Sequence, residues 1–182
     1  MLKHYLVSTL LVFTVSLIIN TSSSAQERTT DRVMASPNAG VSQTIGLTQV
    51  SLTYGRPSVN ERTIFGDLVP YGEVWRSGAN ESTAITFSDD VLVEGEHVPA
   101  GTYSLYSIPG EDNWTIIINN KLSWGTEYDS DEDLLRVEAD AEESQFVEQM
   151  MFYFENISED RGDLVLHWAD TKVNVEIEPH TN

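Results

Sequence analysis

The sequence predicts an all-β domain: an antiparallel β-sandwich, Greek-key or jelly-roll-like, of about eight to ten short strands, with a β-barrel as the alternative. Three observations carry this prediction. Short runs rich in Val, Ile, Thr and aromatic residues alternate apolar with polar side chains, the period of a strand with one buried face. Clusters of Gly, Pro, Asn, Asp and Ser break these runs at short intervals, as turns require. Beyond the first residues no stretch sustains the three- and four-residue apolar spacing of an amphipathic helix, so a parallel sheet with crossover helices is not expected.

The chain opens with Lys3 and His4, an apolar run over 6–19, and the small residues Ser23, Ser24 and Ala25. This is the pattern of a secretory signal cut after Ala25, and the run is shorter than the roughly 20 apolar residues that a spanning helix needs. Residues 1–25 are therefore expected to be a signal peptide, leaving no membrane span after removal and a periplasmic or extracellular protein. The chain has no Cys, so neither a lipid anchor of the bacterial lipoprotein kind nor a disulfide framework is expected. Residues 26–41 mix Ser, Thr, Asn, Pro and charge and read as a flexible lead-in. Residues 42–179 then make one domain, long enough to close a core.

Within that domain Ile45 and Leu47 share one parity, whereas Val50, Leu52 and Tyr54 share the other, which predicts a bend or bulge near Thr48 or Gln49. Residues 83–87 and 91–93 read as strands, followed by a turn at Glu94, Gly95 and Glu96. Tyr103 follows a Pro99-Ala100-Gly101 corner, the layout of a tyrosine corner whose phenol bonds main chain. Residues 114–119 and 134–139 add two strands. Over 146–154 helix and strand compete, and the aromatic content, with Met150, Phe152 and Phe154 on one parity, favours strand. Leu164, Leu166 and Trp168 alternate, then Val173, Val175 and Ile177, which predicts a hairpin turning at Ala169, Asp170 and Thr171.

The stretch that organises the chain is 54–87, YGRPSVNERTIFGDLVPYGEVWRSGANESTAITF. Gly55, Gly66, Gly72, Gly78, Pro57 and Pro70 rule out a long regular element, while Tyr54, Phe65, Tyr71 and Trp75 rule out a solvated linker. An ordered, partly buried loop is expected, and its arginines need partners because a guanidinium presents five donors and keeps its charge.

Several motifs are specific enough to name a relative. YGRP at 54–57, RTIFGDLVPYGEVWRSGANESTAITF at 62–87, PAGTYSLYSIP at 99–109, WTIIIN at 114–119, and Trp124-Gly125 with Tyr128, Leu135 and Arg136 resemble the domain of unknown function 2911 (DUF2911) family of exported bacterial proteins. The resemblance covers roughly 43–177, with Glu61 standing where Gly is expected. It implies export and one shared fold, and no defined chemistry.

Composition bounds the function. With 29 Asp+Glu against 10 Lys+Arg and a formal net charge of −19, the surface repels nucleic acid and anionic lipid. Arg56, Arg76 and Asn80, beside Trp75, Tyr54 and Tyr71, are the candidate ligand-binding residues: a bidentate fork and an aromatic face together suit a sugar, a carboxylate or a peptide. The alternative is that Arg56 and Arg76 pair internally with Asp67, Glu73 or Glu81. The first expectation is thus a non-catalytic binding module for a small molecule, glycan or protein, without a cofactor. A carbohydrate-active hydrolase is the second, with Glu81, Glu73 and Asp67 as candidate catalytic carboxylates, and a structural or protein-interaction domain is the third. Asp129, Asp131 and Asp133 alternate like the start of a calcium loop, although Leu134 and Asp140 occupy the places of its Gly and Glu. Trp124 and Tyr128 make a second aromatic patch, suited either to carbohydrate or to capping one end of the sandwich.

Overall fold

The alternating runs become nine strands in a computed structural model that describes residue 28 and residues 30–180. They are β1 (Asn38–Ile45), β2 (Thr48–Gly55), β3 (Ala79–Phe87), β4 (Val91–Val93), β5 (Glu96–Val98), β6 (Gly101–Ile108), β7 (Asn113–Asn119), β8 (Asp133–Glu155) and β9 (Gly162–Pro179). All neighbours are antiparallel, in the order β1-β2-β3-β6-β7-β8-β9-β4-β5. The sheet's end strands do not pair, so it is not closed into a barrel. The expected signal peptide, 1–25, lies outside the described residues. β1 begins at Asn38, inside the stretch expected as a lead-in, and Arg28 ahead of it is buried. Among the described residues no helix is long and apolar enough to cross a membrane.

β8 belongs to both halves of the sheet: its first residues pair β7 and its later ones pair β9. The halves face each other, as in a sandwich. Tyr54 of β2 meets Phe152 of β8 edge to face with ring centroids 4.9 Å apart, and Trp114, Trp168, Phe87 and Met150 fill the space between. Each such side chain gains roughly 1.5–3 kcal/mol on leaving water, which is the main force closing the halves together.

Two parity changes in the sequence have the opposite causes from those expected. The change before Val50 is a hairpin, because Ile45 pairs with Thr48 across Gly46 and Leu47, with Gly46 at φ 58°. The change after Trp168 is a bulge: β9 runs unbroken through 169–171, and Ala169 takes φ 54°. Between Glu143 and Val147, and again between Val147 and Met151, β8 advances four residues for two on β9. These extra residues on β8 interrupt the ladder and bend the pair without a turn. The same irregularity fuses 134–139 and 146–154 into one strand, so β8 and β9 are long where short strands were expected.

The tyrosine corner is present, with the Tyr103 hydroxyl donating to Pro99 O at 2.9 Å. One further departure from regular pairing builds the site. Between the pairs Thr53–Ala84 and Gly55–Ala79, β3 contributes four residues, 80–83, against Tyr54 alone. Asn80 takes φ 66°, and the freed segment turns to the loop after β7. There the Ser82 amide donates to Ser123 O at 3.1 Å, the Gly125 amide donates to Asn80 O at 3.3 Å, and Glu81 bridges to Trp124.

Candidate functional site

The loop between β2 and β3 is held by its own main chain. The Trp75 amide donates to Ser107 O at 2.7 Å and the Ser107 amide donates to Trp75 O at 2.8 Å, which lays the loop on β6. This places Trp75 in the core at 9% exposure, stacked on Trp168 with centroids 5.9 Å apart, and its indole N–H donates to Gly78 O at 3.2 Å. Trp75 therefore offers no face to a ligand. Tyr54 is likewise interior: its ring packs on Phe152, and its hydroxyl accepts the Phe152 amide at 3.1 Å. Tyr71 is exposed, with its ring lying over Gly66.

The two arginines face different surroundings. Arg56 donates through Nε to Met150 O at 2.8 Å and so ties the loop to β8. Arg76 runs past Gly125 beside Tyr106, half-buried, and its Nε is enclosed without a hydrogen-bond partner among the described residues. Burial pulls the Arg76 pKa below the ordinary arginine value, opposed by Tyr106. Asn80 spends its amide group on Ser36 O at 3.0 Å. The candidates therefore do not act as one cluster; Arg76 alone keeps an enclosed, unused donor.

The expected internal pairing takes another form. Glu81 is 5% exposed and its cationic partner is Arg28, with Nη1 3.5 Å from Oε2. Asp67 and Glu73 are exposed. Of the three candidate catalytic carboxylates the buried one, Glu81, thus meets a guanidinium.

The loop over 120–129 comes against the Arg76 stem at Gly125. Trp124, directly before Gly125, is 44% exposed. The loop is tied to the outer face of the sheet by hydroxyls: Tyr106 to Ser123 at 2.8 Å, Ser82 to Ser104 at 2.7 Å, and Ser104 to Lys121 O at 2.8 Å. Tyr128 packs edge-on to Tyr106 with centroids 4.9 Å apart, so its ring caps the sheet rather than joining Trp124 in an open patch. Sequence reasoning placed Trp124 and Arg76 in separate candidates because the residues lie far apart along the chain. Nothing in the sequence marked Arg28, one of several charged residues, with Glu27, Asp31 and Arg32, in a polar stretch.

The carboxylates of the acidic loop have internal partners. Asp133 gives one carboxylate oxygen to Asn119 Nδ2 at 2.7 Å and the other to the Tyr128 hydroxyl at 2.6 Å and to Arg136 Nε at 2.8 Å. Asp129 caps the Asp131 amide at 3.2 Å. These oxygens are spent on structure, and among the described residues no group of three or more His, Asp or Glu side chains is placed to hold a metal ion. Burial and Asp133 push the Tyr128 phenol up to about 12.

Residues 36–177 match the family described as protein of unknown function (DUF2911), and the chain belongs to that family. No curated protein and no solved structure is similar enough to this chain to match it.

Proposed function

We propose that this chain is an exported, non-catalytic binding module, working in the periplasm or outside the cell, that takes a small ligand bearing a carboxylate or a set of sugar hydroxyls at Arg76. One observation carries the reading: Arg76 is half-buried beside Tyr106, and its enclosed Nε has no partner among the described residues. Enclosing a donor of a charged group without a partner costs free energy, and that cost is recovered when a ligand oxygen arrives. Trp124 and Gly125 support it, the first as an exposed indole and the second as the gap through which the Arg76 stem passes. Overall acidity supports it as well, since a cationic fork on a chain of net charge −19 is selective for ligands small enough to avoid the surrounding repulsion. Catalysis by paired carboxylates is not favoured, because Glu81 is engaged with Arg28.

The test is a thermal-shift and calorimetric screen of small carboxylates and neutral oligosaccharides. A ligand near one hundred times its dissociation constant adds about 2.7 kcal/mol, which raises the midpoint of a domain this size by about 5–10 °C. Arg76→Gln should abolish that shift while leaving the unliganded midpoint within about 2 °C. If no ligand shifts the parent protein, or if Arg76→Gln responds as the parent does, the reading is wrong.

A further inference from the structure

Into the gap that opens between β2 and β3 reaches the side chain of Arg28. Where residues 80–83 swing away, the carbonyls of Thr53 and Ser82 lose the regular ladder, and the donors that meet them belong to Arg28. Its Nη2 donates to Thr53 O and to Ser82 O, both at 2.7 Å. Its Nη1 lies 3.5 Å from Glu81 Oε2, and both side chains of this pair are 6% exposed. Two carbonyls on adjacent strands and one carboxylate therefore converge on one planar fork. An ammonium group is a compact point charge and does not reproduce that divergent arrangement of donors.

The occupant and its seat are linked only through the tertiary fold. Arg28 stands ahead of β1, whereas the acceptors are on β2 and β3, and only the side chain bridges them. Burial lowers the Arg28 pKa to about 10 in spite of Glu81, so the seat withholds water from the cation as a binding site does.

From this geometry we infer that the gap formed by Thr53 O, Ser82 O and Glu81 is a guanidinium-binding site, held in the native chain by Arg28 and open to another arginine or guanidinium group once Arg28 is removed. The seat uses a different guanidinium from the Arg76 site, although residues 80–83 border both, and its rescue is read without any Arg76 ligand.

Chemical rescue tests it. Arg28→Ala should lower the thermal midpoint by roughly 6–15 °C, the consequence of leaving a buried acceptor set without its cation. Guanidinium chloride at tens of millimolar should then raise the midpoint of Arg28→Ala by about 3–5 °C near ten times the dissociation constant, relative to sodium chloride of equal ionic strength. The parent protein, with its seat filled, should show no such rise. N-acetyl-arginine amide should behave like guanidinium, and N-acetyl-lysine amide should not. If Arg28→Ala is unfolded in buffer, the same additions are read as recovery of native tryptophan fluorescence. Parallel responses of variant and parent, or absence of recovery, overturn the proposal. So does an Arg28→Lys protein as stable as the parent, because the fork would then be unnecessary.

Discussion

Gly125→Ala tests whether the Arg76 stem and the strand-to-loop bridge occupy the space the structure assigns them. A Cβ added at Gly125 would lie 1.9 Å from Arg76 Cδ, 2.9 Å from Arg76 Nε and 2.8 Å from Asn80 O. Carbon atoms in contact settle about 3.5–4.0 Å apart, so the Arg76 stem must vacate its channel. The Asn80 carbonyl is main chain and accepts the Gly125 amide, so it retreats only by straining the Glu81–Trp124 bridge. Overpacking of this kind costs roughly 1–3 kcal/mol, or a midpoint fall of about 2–12 °C for a domain this size. The decisive assay is a double-mutant cycle in urea with Arg76→Ala, which removes two of the three close contacts. In that background Gly125→Ala should cost about 1 kcal/mol less than in the parent. Additivity within about 0.3–0.5 kcal/mol would show that the two residues do not share this space, and the site would lose its wall.

Two other outcomes follow from the placement of the aromatics and of Asp133. Trp75→Ala should destabilise by roughly 3–5 kcal/mol in denaturant titration, because it empties a stacked core position, whereas Tyr71→Ala at the exposed loop tip should stay within about 0.5–1 kcal/mol; comparable losses would contradict the core assignment. A phenol whose folded pKa is raised from 10.0 to about 12 favours the native state fully below its unfolded value, and that contribution is lost as pH climbs through about 12. Phenolate absorbance should accordingly show Tyr128 titrating last, and Asp133→Asn should return it toward ordinary tyrosines; an unchanged titration would remove Asp133 as a cause.

Much of the fold was legible along the chain. Alternation, turn residues and the lack of helical spacing are local, and they marked β4 and β7 closely and the second half of β3, together with the Tyr103 corner. Parity breaks were visible at the right places, yet a break records only that the buried face has changed. Whether the chain turns, as at Gly46 and Leu47, or bulges, as at Ala169, depends on which strand lies alongside. The site was legible in part. Arg76 was found because a loop arginine among glycines and aromatics needs partners, but Trp75, chosen as its platform, is drawn into the core by Trp168, and the residue that comes against the Arg76 stem is Gly125, next to the exposed Trp124.

By itself the sequence determined the all-β class, the family, the acidity that disfavours polyanions, and the segment from which the candidate cation comes, because periodicity, charge and motif are properties of neighbouring residues. Only the tertiary structure decided which guanidinium meets Glu81, that Arg28 and Arg76 each enclose an Nε without a partner among the described residues, and that Trp124 rather than Trp75 remains at the surface. Those outcomes are settled by competition for buried space and hydrogen-bond partners among residues far apart in the chain, and local pattern carries no record of who wins it.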